Sequence, residues 1–150
     1  MTLANLNLPA SRVRVSEASD WRSAVTLCLS LLKEEGFVEQ RYIDKVVESI
    51  ASGKGLYMAL GKGILLAHSR PEDGACKTGL SLVVLKNPIA LGDNDSGKSI
   101  QLIFGLSAVD THSHQELMSE FAKVLLQSSV RESLKSAPDV EAALGVLVTA

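Results

Sequence analysis

Polar and apolar positions alternate in two different rhythms along this chain. From Trp21 to Leu32 the apolar residues Trp21, Ala24, Val25, Cys28, Leu31 and Leu32 recur at helical spacing, with Asp20 placed as the N-cap. Gly36 stands where a left-handed residue closes such a helix. A second amphipathic helix carries Tyr42, Ile43, Val46, Val47 and Ile50 on its stripe and ends at Gly53. The rhythm then shortens. Leu56 to Leu60 and Ile64 to His68 are apolar runs joined by Gly61-Lys62-Gly63, which predicts a tight hairpin. Gly79 to Leu85 is apolar enough for a strand covered on both faces, broken by Asn87-Pro88. The polar segment Gly92 to Gly97 predicts a turn, and Ile100 to Ala108 another buried strand.

Helices return at the C-terminal end. Ser113-His114-Gln115-Glu116 fits a capping box, which starts a helix at Ser113 with Leu117, Phe121, Val124 and Leu125 inside. A short helix around Arg131 to Ser136 and a last one from Pro138 follow, the latter turning Val140, Ala143, Leu144 and Leu147 inward. Two helices, about four strands and three helices predict an α/β domain with a mixed sheet, one domain spanning residues 1–150.

Composition narrows the class. Hydrophobic residues make up 46% of the chain and aromatics only 4%, so the core is built of Leu, Val, Ile and Ala. With 15 basic and 17 acidic residues interspersed, no basic patch points to nucleic acid. Charged residues interrupt every apolar run well short of the roughly 18 residues that a membrane span needs. Met1 to Ser11 lacks the pattern of a secretory signal, and Cys28 and Cys76 read as reduced thiols. The expectation is a cytoplasmic protein without insertion into the membrane.

Two histidine segments carry the candidate chemistry. His68 ends an apolar strand and is followed at once by a polar turn. A histidine there either bonds the turn or serves as a nucleophile, since neutral imidazole offers a lone pair and forms a labile phosphoramidate. His114 falls in the first turn of its helix, where unpaired amides and the helix dipole favour an anion. It reads as a neutral donor to a phosphoryl oxygen, or as a plain surface residue. Asp110 either orients an imidazole or caps the loop. Arg70 either clamps phosphoryl oxygens or pairs with Glu72 or Asp73. His112 and His114 form an H-x-H pair that no nearby Cys or carboxylate completes, so metal binding is a weak alternative. The glycines match neither nucleotide-binding fingerprint.

Leu66-Ala67-His68-Ser69-Arg70-Pro71-Glu72-Asp73-Gly74, then Lys77-Thr78-Gly79-Leu80, and later Ser107 to Glu116, resemble the enzyme IIA domains of the bacterial phosphoenolpyruvate-dependent sugar phosphotransferase system. The similarity is to the mannitol/fructose-type superfamily and, within it, the ascorbate-type branch. It implies a mixed β-sheet of four to five strands flanked by helices. It also implies that His68 accepts a phosphoryl group from HPr and passes it to a cysteine of a cognate enzyme IIB, which feeds a IIC permease, while His114 supports the phosphoryl group. L-ascorbate or a related sugar is the implied cargo, no cofactor is required, and a regulatory module of the same fold is the alternative. Many members have proline before the active histidine, where this chain has Ala67. Mannitol-type members carry an arginine at the exit of the second helix, where this chain offers Lys54. Lys54 and Arg70 therefore both stand as the phosphate-binding cation. Which imidazole nitrogen is phosphorylated stays open, and so does a homo-oligomeric state.

Overall fold

The computed structural model describes residues 8–91 and 99–149. A five-stranded mixed sheet forms its centre, made of β1 (Val13–Ser16), β2 (Ala59–Gly61), β3 (Ile64–Ala67), β4 (Gly79–Ala90) and β5 (Ser99–Ser107) in the order β1-β4-β5-β3-β2. The helices are α1 (Trp21–Glu34), α2 (Gln40–Ala51), α3 (Thr111–Leu125), α4 (Ser128–Lys135) and α5 (Val140–Thr149). Among the described residues no helix is long and apolar enough to cross a membrane.

Strand periodicity sorts the core into two layers. Leu65, Ala67, Val83, Leu85 and Ile103 pack against α1 and α2. Their neighbours Ile64, Leu66, Leu82, Val84, Leu102 and Phe104 face the other way, towards α3, α4 and α5. Both faces are covered, which is why these strands read as unbroken apolar runs.

Several expectations hold. Asp20 caps α1 by accepting from the Ser23 amide at 2.8 Å. The hairpin between β2 and β3 turns on Gly61, Lys62 and Gly63, all at positive φ (85°, 59° and 80°), a conformation that two glycines make inexpensive. Both cysteines are free, Cys28 buried and Cys76 exposed. Burial pushes the Cys28 thiol up to about 12, so it stays protonated among its neighbours.

Four differences follow from pairing that the linear pattern does not display. β1 was not anticipated: it is four residues long and finds its place by parallel pairing with Leu82 to Leu85 of β4. Leu56–Met58 forms a 3-10 turn rather than the start of a strand, leaving β2 only three residues. β4 does not stop at Asn87-Pro88. It continues to Ala90 with a register shift between Val84 and Ile89, and the bulge places Pro88 on the exposed surface, where its missing N–H costs no ladder bond. Gln101 Nε2 donates to the Leu85 carbonyl inside that bulge at 3.0 Å. Finally, α3 starts at Thr111, with Asp110 rather than Ser113 as its N-cap. The turn expected at Gly92 to Gly97 lies outside the described residues.

Gly105 of β5 lies where the sheet meets α1. A Cβ there would stand 2.5 Å from Ser81 Oγ and 3.1 Å from Leu29 Cδ2, so only glycine lets the helix pack this closely.

Candidate functional site around His68 and His114

β3 and β5 are parallel neighbours, and their ladder ends at the pair Ala67–Gly105. Their carboxyl ends therefore open at the same edge of the sheet, where side chains from two strands meet in space. His68 is the first residue past β3. Past β5 the chain runs from Ala108 to Asp110 and into α3, which carries His114. The two imidazoles lie with ring centroids 5.7 Å apart.

The His68 ring is held from one side by its own strand. Its Nδ1 lies 2.8 Å from the Leu66 carbonyl oxygen. A carbonyl only accepts, so Nδ1 carries the proton and Nε2 keeps the lone pair. Burial holds the His68 imidazole below the ordinary histidine value, His114 pushes the same way, and the Leu66 bond opposes both. An NMR titration of His68 should accordingly give a midpoint below the unperturbed 6.5. The ring then stays neutral at mildly acidic pH, with the Nε2 lone pair free, and takes up a second proton only as pH falls through the lowered midpoint. Between that midpoint and 6.5 the unfolded chain binds the extra proton, so stability from this group also falls as pH falls. A midpoint at or above 6.5 would contradict this environment.

Asp110 caps α3, its carboxylate accepting from the Ser113 amide at 2.7 Å, which lowers its carboxyl below the usual range. Such a cap satisfies one of the amides that the first turn of α3 leaves without a helical partner. The backbone carbonyl of Asp110 also accepts from the His114 amide at 3.1 Å, so His114 offers its ring rather than its N–H. Of the two readings of Asp110, the capping one describes its contacts. The amides of Thr111 and His112 are the ones left without a helical carbonyl to bond.

An open cleft of about 630 Å³ surrounds the pair. Lys54, Arg70 and Asp110 line it, so the supporting residues expected from sequence converge there. Neither Lys54 nor Arg70 forms a contact ion pair among the described residues; Arg70 meets Asp73 through its backbone amide, and its charge helps to lower the Asp73 carboxyl. Asp73 is committed elsewhere: it accepts from Ser69 Oγ at 2.5 Å and from the Arg70 amide at 3.3 Å. The Ser69 bond comes first in holding its carboxyl below the usual range. His112 is not part of the cleft; it is 87% exposed and its Nε2 lies 3.2 Å from Glu116. No group of three or more metal-ligating side chains occurs among the described residues.

Sequence reasoning missed Lys45, Ser49 and Tyr57, which also line the cleft. Lys45 and Ser49 are four residues apart, one helical turn, and this shared polar face opposite the buried stripe was the available signal. Tyr57 sits edge-to-face with His68, ring centroids 5.9 Å apart, and is 66% exposed. An exposed aromatic in a chain so poor in aromatics was the only hint of it.

Residues 7–149 match the family model described as the phosphoenolpyruvate-dependent sugar phosphotransferase system, EIIA 2. The chain belongs to this enzyme IIA family. The mannitol-specific cryptic phosphotransferase enzyme IIA component of Escherichia coli (strain K12) is 32% identical over 130 residues, 86% of each chain. An ascorbate-specific EIIA component of Salmonella typhi is 34% identical over 102 residues, 68% of this chain and 65% of that protein. The solution structure of the cryptic mannitol enzyme IIA of E. coli superposes on this fold with a TM-score of 0.86 at 29% identity, covering all of both chains. The chain is accordingly a phosphotransferase component of sugar transport, on a mixed five-stranded sheet flanked by helices.

Proposed function

We propose that this enzyme IIA carries its phosphoryl group on Nε2 of His68, receiving it from phosphorylated HPr and handing it to a cysteine of a cognate enzyme IIB. The observation that carries the assignment is the Nδ1 bond to the Leu66 carbonyl, which leaves Nε2 as the nucleophilic nitrogen. In the transfer, the bond from phosphorus to the donor imidazole breaks as the bond to Nε2 forms. The positive charge that develops on the His68 ring is spread towards Leu66 through the Nδ1 proton. Chemistry of this kind needs position and charge more than covalent machinery, and the cleft supplies both.

His114 supports a phosphoryl oxygen from the adjacent ring. Lys54 and Arg70, with Lys45 from α2, are the cations that line the cleft, beside the carboxylates of Glu72, Asp73 and Asp110, and are the groups that can meet the charge of a phosphoryl oxygen. Asp110 acts through α3, by holding the turn that presents His114. The cargo is L-ascorbate or a related sugar, in keeping with the ascorbate-specific relative, and the carrier works in the cytoplasm with its IIC permease downstream of IIB.

The test uses purified enzyme I, HPr and radiolabelled phosphoenolpyruvate. The protein should take up acid-labile label to about one phosphoryl group per chain, and mapping should place it on His68. Label that is absent, or that resides on another residue, overturns the assignment. Release of that label to a IIB cysteine separates a transport role from a regulatory one.

A further inference from the structure

The β3–β5 ladder stops at Ala67–Gly105, yet both histidines are carried by chain beyond that point. One side chain joins the two segments past the last rung. Tyr42 of α2 is fully buried, and its hydroxyl lies 2.6 Å from the Leu106 carbonyl oxygen and 2.9 Å from the Ser69 amide. The single phenolic proton goes to Leu106, and the oxygen accepts from Ser69 N–H. A second carbonyl, that of Ser69, stands further off at 3.3 Å. Ser69 directly follows His68, and Leu106 lies four residues before the cap of the helix bearing His114.

We propose that Tyr42 is a positioning residue of the phosphoryl-transfer site, whose hydroxyl sets the separation of His68 and His114 by tying Ser69 to Leu106. The proposal rests on the reading of His68 as the phosphoryl acceptor. Desolvation pushes the phenol up to about 12, so the tie keeps its proton throughout the working pH range. Its amide partner is also withdrawn from the cleft: Ser69 N–H serves Tyr42 and not the phosphoryl group.

Tyr42→Phe keeps the buried ring and removes only the tie. At a temperature where the variant is fully folded, phosphoryl transfer from phosphorylated HPr should slow by about ten- to a hundredfold, the effect of misplacing a reacting group by an ångström or less. The NMR titration of His68 should shift in the same variant. Ser81→Ala is the control, because it deletes another buried hydroxyl bond, to the Cys28 carbonyl at 2.7 Å, away from the cleft. It should leave transfer and the His68 titration unchanged. Transfer in Tyr42→Phe within twofold of wild type, an unaltered His68 titration, or equal slowing in Ser81→Ala would each overturn the proposal. The wild-type protein gives an answer even if Tyr42→Phe does not fold. Its Ser69 amide should exchange with solvent as slowly as the β3–β5 ladder amides, and exchange at the rate of free loop counts against the tie. Absence of any phosphoryl uptake by wild type would instead remove the acceptor reading, while the His68 titration and the Ser69 exchange still report whether Tyr42 holds the two segments.

Discussion

Replacing His68 by glutamine is expected to reduce phosphoryl uptake from phosphorylated HPr to background. Glutamine places an amide nitrogen near the position of Nε2, but that nitrogen's lone pair is delocalised into the carbonyl and does not attack phosphorus. The variant should lose little stability, about 1 kcal/mol, for the Nδ1 bond to Leu66 that it no longer makes. His68→Asn sharpens the comparison, because its amide sits closer to the backbone and can still donate to Leu66. Both variants should be unlabelled, and the asparagine form should be the more stable by urea unfolding. Residual labelling above a few per cent of wild type in either would mean that another residue accepts the group.

Phe104→Ala is expected to produce the largest loss of stability. Phe104 is fully buried in β5, paired with Leu66 on one side and Leu82 on the other. It meets Phe121 of α3 edge-to-face with centroids 4.8 Å apart. Truncation removes the ring's burial, its aromatic pair and the filling of the space beneath α3, and should cost about 3–5 kcal/mol in urea unfolding. Because α3 carries His114, the variant should also take up phosphoryl groups more slowly at temperatures where it remains folded. A loss below about 1 kcal/mol would show that α3 is not seated on this ring.

Legibility differed from element to element for physical reasons. The stripes of α1 and α2 were plain because a helix repeats its buried residues every turn within its own sequence. β3 and β5 were plain as apolar runs, yet the runs alone do not disclose their parallel pairing. β1 was missed because four residues leave no periodicity, and their strand state comes from β4. The start of α3 was misplaced by two residues: Ser113 and Glu116 satisfy the capping-box pattern, but the Asp110 carboxylate reaches the Ser113 amide and takes the cap.

The candidate site divides along the same line. His68, His114, Arg70, Lys54 and Asp110 were legible as residue types in suggestive surroundings, and the motif around the histidines pointed to the family that the relatives show. Tyr42 read only as one more apolar position on a helical stripe, because a hydroxyl's partners 27 and 64 residues away are invisible in linear order. The sequence by itself determined the elements that repeat within a few residues, the absence of a membrane-length apolar run, and the identity of the nucleophile candidate. Only the tertiary structure decided that β3 and β5 end side by side, that the Leu66 carbonyl accepts from His68 Nδ1 and leaves the Nε2 lone pair free, and that Tyr42 bridges the two strand ends. The first kind of information is carried by local spacing, which a chain displays in order. The second depends on which distant segments share an edge, and burial and hydrogen-bond pairing settle that only once the whole sheet has formed.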